Sequence, residues 1–241
     1  MNAQGENSES RRDSPAEDGG KRVLYTINKI DHDLQINCNK EKIEWRDCPA
    51  IEVGCDNGWK MNHRPHTIAR LLYSKKYLYV RFDVKDRFVR CVADQINGEV
   101  WKDSCAEFFF IPGSNLSTGY FNLEVNCGGT IRMGYQETPR GTPYLITQED
   151  AKEIKLYHSL PSVIEHEIVQ PIEWTIEISL PFNILCHFAE VEPPVSGDSW
   201  KANFYKCAES NSHPHWLSWK HIDSPSPDFH LPKFFGEVKF G

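Results

Sequence analysis

The sequence predicts an all-β protein: two antiparallel sheets packed face to face in an immunoglobulin-like or jelly-roll-like β-sandwich, with at most one short helix. Short runs of alternating apolar and polar residues recur at intervals of about 8–20 residues, the rhythm of strands in a sandwich. The stretches between them are built from Gly, Ser, Asn and Pro and show almost no helical periodicity. Aromatic residues make up 12% of the chain and include seven Trp, a share that suits β structure.

With 241 residues, 39% of them apolar, the chain can bury one good-sized core. It has no internal repeat and no clean linker, so 21–241 reads as one domain. Residues 1–20, rich in Ser, Glu and Gly, are expected to form a disordered polar tail. That tail lacks the apolar segment of a secretory signal, so the expected location is cytoplasmic, with an extracellular one open if a leader is missing. A formal charge of −7 and a pI near 5.8 argue against nucleic acid, whose phosphates call for a basic stripe. No run of about 18 apolar residues is present, so no membrane span is expected. The eight Cys include no CxxC pair for zinc or redox chemistry, and reduced thiols acting as small buried hydrophobes are expected.

In chain order, VLYTINK (23–29) is a short strand. Residues 43–53 carry Trp45 between two β-like runs, bent at Asp47-Cys48-Pro49. A loop over 54–66 holds Trp59, His63 and His66. TIARLLY (67–73) and YLYVRFDV (77–84), joined through Ser74-Lys75-Lys76, form the clearest hairpin, with Leu78, Val80, Phe82 and Val84 buried. After an irregular stretch come three strands, 105–111, 120–126 and 130–135, joined by Gly- and Ser-containing turns. Residues 136–150 are expected to be an exposed connection. Strands follow at 153–160, 165–169 and 173–181, the last with Trp174, Ile176, Ile178 and Leu180 inward. Pro181 opens the one helical candidate, 181–190. Residues 199–209 form another strand, 210–233 a long loop with four Pro, four His and two Trp, and 234–240 closes the domain.

The functional weight falls on the three-stranded meander. On 120–126, Phe121, Leu123 and Val125 alternate with Tyr120, Asn122, Glu124 and Asn126; on 130–135, Ile131, Met133 and Tyr135 alternate with Thr130, Arg132 and Gly134. One set enters a core, and the other places amides, a carboxylate and a guanidinium on a single face. Trp101 stands six residues ahead of Glu107 at a loop–strand junction. An aromatic plate beside hydrogen-bonding groups suits a sugar, whose C–H face stacks on the indole while its hydroxyls pair with amides and charges. Asn122, Glu124 and Asn126 also fit an ordinary solvated sheet face, and Glu107 fits an edge charge that discourages pairing. Against that, Asn is depleted in strands, and Glu107 between Ala106 and Phe108 is costly to bury without a partner such as Arg132 or a ligand hydroxyl. Trp45, Trp174 and Trp200 read as structural.

Seven pieces in order, IEW-x-x-CPAIEV, LYV-R-F-DV, VWKDSCAEFFF, YFNLEVNCGGTI, EWTIEISLPF, WKANFYKC and PDFHLPKFFGEVKF, resemble the family 9 carbohydrate-binding modules, within the broader group of sugar- and haem-binding sandwich domains. The resemblance spans roughly residues 23–240. It implies two antiparallel sheets, and two Trp that sandwich a terminal sugar unit while a Glu, amides and an Arg bind its hydroxyls. Carried over by motif, Trp101 and Glu107 match the family's run, with Asp103 at the acidic place between them. The second plate is Trp216 or Trp219; Asn126, Arg132 and Asn203 are the polar candidates by strand position. The implied partner is a saccharide, a terminal unit of a glucan- or xylan-type chain, with a glycoside hydrolase as an associated protein. Some relatives bind structural calcium, but no loop here has a recognisable oxygen-ligand spacing, and no cofactor is expected.

His63-x-x-His66 and His213-Pro-His215 have spacings a metal can use, yet no third ligand is evident, and surface or loop histidines are expected. Met133 is the one candidate for an axial ligand in a haem-binding relative, but its parity sends it inward. There is no nucleophile elbow, phosphate loop or HExxH. The sequence therefore reads as a non-catalytic sugar-binding domain. Its rivals are a haem-binding sandwich and an interaction domain that kept the scaffold and lost the ligand.

Overall fold

The alternating segments become strands in a computed structural model that describes residues 24–37, 39 and 41–241; the tail expected over 1–20 lies outside the described residues. The first half of the chain forms β1 (Tyr25–Lys29), α1 (Ile43–Arg46), β2 (Ile51–Glu52), β3 (His66–Tyr73), β4 (Tyr77–Asp86), β5 (Val89–Cys91), β6 (Cys105–Ile111) and β7 (Tyr120–Asn126). The second half adds β8 (Ile131–Gln136), β9 (Tyr144–Leu145), α2 (Gln148–Glu153), β10 (Lys155–His158), β11 (Ile164–Ile168) and β12 (Ile172–Pro181). It ends with α3 (Phe182–Leu185), β13 (Ser199–Ala208), β14 (His215–Ser218) and β15 (Gly236–Phe240).

Two walls face each other. One runs β10-β12-β4-β3, with β2 beside β3; the other runs β15-β13-β6-β7-β8-β9, with β14 beside β13. Pairing within each wall is antiparallel, but β1 joins the two by lying parallel to both β15 and β3. Its first residues pair with β15 (Tyr25↔Val238) and its last with β3 (Asn28↔Leu72), so one short strand spans the seam. The result is sandwich-like, yet the expectation of purely antiparallel sheets is corrected: this is one curled mixed sheet, plus a small β11-β5 pair. Parallel pairing of β1 is open to it because its partners lie far off in sequence and need no tight turn.

The expectation of at most one helix is also corrected, since α1 and α2 accompany α3. Within the stretch read as a connection, the Thr147 side chain accepts from the Asp150 backbone N–H while Asp150 accepts from the Thr147 N–H. That reciprocal cap starts α2. In α1, the helical turn aims Trp45 inward, where its indole N–H donates to Glu177 Oε1 at 2.8 Å.

The interior between the walls is aromatic. Phe108 stacks on Phe110 and Phe204 with ring centroids 4.7 and 4.8 Å apart, and Trp200 lies 5.4 Å from Phe110. Trp174, Trp200 and Met133 are buried there, as their parity predicted. What positions the site is that β6 is buried on both faces. Ala106, Phe108 and Phe110 enter the interior, while Cys105, Phe109 and Ile111 join a second cluster with Trp59, Ile222, Phe229 and Phe235. The loop after β14 therefore folds back over the outer face of β6 and β7 and turns a sheet surface into a concavity.

Candidate functional site

Strand register assembles the floor. Tyr205, Glu107, Glu124 and Arg132 are successive partners across β13, β6, β7 and β8, so their side chains form one row on the outer face. The row on one side is Cys207, Cys105 and Asn126; the row on the other is Asn203, Phe109, Asn122 and Gly134. Gly134 eases a close approach, since a Cβ there would meet Leu145 Cδ2 and the Tyr144 carbonyl at a tight 3.1 Å.

A cavity of about 290 Å³ opens over this floor, lined by Trp101, Glu107, Asn122, Glu124, Arg132 and Gln136 and closed by Glu209, Trp216 and the 227–230 loop. Trp101 projects from a 3₁₀ turn, Val100–Lys102, and is half-buried. Its carbonyl accepts from the Glu209 N–H at 3.2 Å, which ties the turn to the end of β13. Arg132 lies 5.1 Å over the Trp101 ring and donates to the Asn97 carbonyl at 2.6 Å. Trp216, on β14 opposite Cys207, donates its indole N–H to Glu209 Oε1 at 3.3 Å.

The buried carboxyls are electrostatically unusual. Burial, then Cys207 and Glu124, hold Glu107 well above the ordinary carboxyl range. Its one protein partner among the described residues is the Cys207 thiol, which donates to Oε1 at 3.0 Å. Burial pushes Glu124 up to about 7, against the opposing pull of the Asn122 amide, which donates at 2.7 Å, and of Arg132. Burial, then Arg140, brings His230 down to about 4, so its ring is neutral at pH 7. Its Nδ1 accepts from Gln136 Nε2 at 3.0 Å and lies 2.8 Å from the Tyr120 hydroxyl, which places the ring proton on Nε2. At the rim, Arg140 pairs with Asp228 through two contacts of 2.7 and 3.2 Å.

Of the eight residues expected at the site, the structure brings together Trp101, Glu107, Arg132 and Trp216. The other four have buried or packed roles elsewhere. Asp103 accepts from the Ala93 N–H and from Asn126 Nδ2, both at 2.9 Å, and Asn126 Oδ1 accepts from the Thr130 N–H at 2.8 Å. The two residues brace the loop under Trp101. Asn203 accepts from the Lys220 N–H at 2.9 Å and donates to the Lys220 carbonyl at 3.2 Å. Trp219 packs on the interior side against Tyr25 and Phe204. Arg132 stands opposite Glu124 in register; Glu107 takes Cys207 as its partner instead.

Sequence reasoning put Asn122 and Glu124 on the polar face of the meander, weighed as sugar-pairing or as solvated, without naming them as site residues, and did not single out Gln136, Arg140, Cys207, Glu209 and Asp228. Gln136 continues the parity of Arg132, a signal that extending β8 by one residue exposes. The expectation of surface or loop histidines fails for His215, which is fully buried; His63 stays in its loop, its ring 5.2 Å from that of His215. Strand β14 draws His215 inside, where it meets Lys206 at 2.7 Å.

Among the described residues, one group of side chains is close enough to share a metal ion: Cys105, Glu107 and Cys207, with ligand atoms within 4.8 Å. Burial pushes the Cys105 thiol up to about 12 and the Cys207 thiol upward too, so both stay protonated. Two thiols and one carboxyl are not the oxygen-rich set that calcium takes.

Comparison with known proteins adds a family. The model of carbohydrate-binding family 9 matches residues 33–240. A protein of Arthroderma benhamiae called "Extracellular protein" is 25% identical over 189 residues, which cover 73% of this chain and 79% of that one. A solved structure of a candidate carbohydrate-binding protein from Bacteroides uniformis superposes with a TM-score of 0.80 at 26% identity, covering 90% of this chain and 99% of the other. A family 9 module of Caldicellulosiruptor kristjanssonii in complex with glucose gives a TM-score of 0.61 at 13% identity, covering 90% and 95%. A family 9 module of the same organism in complex with cellotriose gives 0.60 at 12%, covering 90% and 93%.

Proposed function

The chain belongs to carbohydrate-binding family 9, and from that premise we propose that its cavity holds one terminal sugar unit of a poly- or oligosaccharide without catalysing its breakdown. The observation that carries this reading is the lining itself. Two half-buried Trp, 101 and 216, border a floor of carboxyls, amides and a guanidinium in a single concavity. A pyranose presents an apolar C–H face to an indole and a ring of hydroxyls to such a floor. Glu107, Asn122, Glu124 and Gln136 supply acceptors and donors, and the His230 Nε2 proton adds a donor at the wall. At about 290 Å³ the space sits at the small end of ligand pockets, about 300–1,000 Å³, which favours one unit over a long chain.

Family 9 structures solved with glucose and with cellotriose support glucose-type ligands as the first to try. The test is calorimetric titration with glucose, cellobiose and xylobiose, following a glycan array. Trp101→Ala and Trp216→Ala are each expected to weaken binding by at least about tenfold, as loss of a stacking anchor does. Wild-type affinity retained in both variants would sink the stacking assignment.

A further inference from the structure

Charge is distributed unevenly around the cavity. Arg140 and Asp228 cancel each other at the rim, and His230 is neutral with its Nδ1 occupied. Arg132 is committed to the Asn97 carbonyl and the Trp101 face. That leaves three carboxyls, Glu107, Glu124 and Glu209, facing one space with a single partly engaged cation. Glu107 and Glu124 are direct cross-strand partners, and like charges so placed repel. Glu107 is 2% exposed and lines the cavity; one of its oxygens takes the Cys207 thiol, and no other described group bonds it.

We propose that this cavity selects its ligand by charge: it takes a saccharide bearing an ammonium group, an amino sugar, ahead of the neutral sugar of the same configuration, and rejects the corresponding uronic acid. The inference rests on the saccharide reading of the same site. A neutral hydroxyl leaves the repulsion between the Glu107 and Glu124 carboxyls in place, so the pair must keep a proton. An ammonium brings three donors and the missing positive charge, which lets that proton leave. The proton passes to the buffer, and the N–H groups take its place as charge-assisted hydrogen bonds. A sugar carboxylate adds a further negative charge where Arg132 and Arg140 are already occupied.

The experiment is calorimetry at about pH 6, below the range of about 7.7–8 where a simple α-amine deprotonates. Glucose, glucosamine and glucuronic acid are titrated, with the matching galacto series, in two buffers of different ionisation heat. The amino sugar is expected to bind at least about tenfold tighter than the neutral one, with proton release in that titration alone and no detectable uronic acid binding. Glu107→Gln is expected to reduce the proton release, and Glu107→Gln with Glu124→Gln to abolish it. Glu209→Gln, at the exposed rim and outside the packed floor, is expected to shrink the preference several-fold. Equal affinity for amino and neutral sugars, or amino sugar binding without proton release, overturns the charge selection and leaves the saccharide site standing. Silence towards every sugar in both series overturns both.

Discussion

Glu124 shows what burial does to a single side chain. It lies on a strand of alternating residues, and exposure would make it an ordinary surface acid. The loop over β6 and β7 removes its water, leaving Asn122 as its hydrogen-bond donor, with Arg132, Glu107 and Glu209 as the surrounding charges. With a pKa near 7 in the fold against 4.5 ordinarily, Glu124 is protonated natively over a range where the unfolded chain has lost that proton. Below about pH 4.5 both states are protonated and the native state suffers no penalty. Between about pH 4.5 and 7 the penalty accumulates and stability is lost, and above 7 the loss is complete. Replacing Glu124 with Gln removes the effect while keeping the amide-to-oxygen bond. From pH 4 to pH 8 the variant is expected to gain on the order of 3 kcal/mol relative to wild type, read from urea unfolding at a series of pH values. His215 and His230, brought down to about 3 and about 4, act in the opposite direction, but they are common to both proteins and cancel in the comparison. Parallel stability curves would show that Glu124 titrates as an exposed acid.

Strand β14 decides which late Trp reaches the cavity. His215–Ser218 pairs with β13 at Ala208 through Tyr205, which sets Trp216 beside Cys207 on the outer face and Leu217 beside Lys206 on the inner one. Trp219 is three residues beyond Trp216, and an odd separation along an extended chain reverses the face. It lands on Tyr25 and Phe204. Trp219→Ala is expected to cost about 2 kcal/mol or more in thermal unfolding and to leave sugar affinity nearly unchanged. Trp216→Ala is expected to do the reverse. The same affinity loss in both variants would mean that the loop shifts as a unit. In the sequence the choice stayed open because HWLS is a four-residue strand inside a Pro- and His-rich stretch, too short for period-two alternation to stand out. Once the strand is known, parity settles the matter. The β6–β7–β8 meander was legible for the opposite reason: its strands are consecutive, and the alternation on β7 and β8 is unbroken. Asp103 and Asn126 were drawn into the predicted site by motif and parity. Chain direction at the β7–β8 turn, where Gly129 takes a positive φ of 87°, instead folds Asn126 back onto its own loop.

At the scale of the whole molecule, two walls whose strands were mostly visible in the sequence are fastened by contacts that were not. The parallel seam strand β1 is one; no local pattern announces which partners a five-residue strand takes. A buried ion pair between the walls is the other. Lys206 of β13 reaches Asp86 of β4 at 3.3 Å, with both side chains fully buried, and also contacts His215 at 2.7 Å and the Trp174 ring at 5.6 Å. Asp86 in turn meets His63 at 2.7 Å. Burial raises the Asp86 carboxyl's pKa, but Lys206, His63 and His215 outweigh it and hold the group below the usual carboxylate range. In the sequence, Lys206 shares the parity of Trp200 and Phe204 without a visible partner, and Asp86 falls in the irregular stretch after the hairpin. Only their meeting across the interior gives either one a reason. Lys206→Met keeps the stem's volume and strands the Asp86 charge, which is expected to cost about 3–5 kcal/mol. For a chain of this length that lowers the melting temperature by roughly 10 °C. Lys206→Met with Asp86→Asn should lose clearly less than the two single changes added together, because the second change removes the charge that the first left unpaired. Strict additivity would mean that the two walls are held by their aromatic interior alone, and that the lysine contributes only its stem.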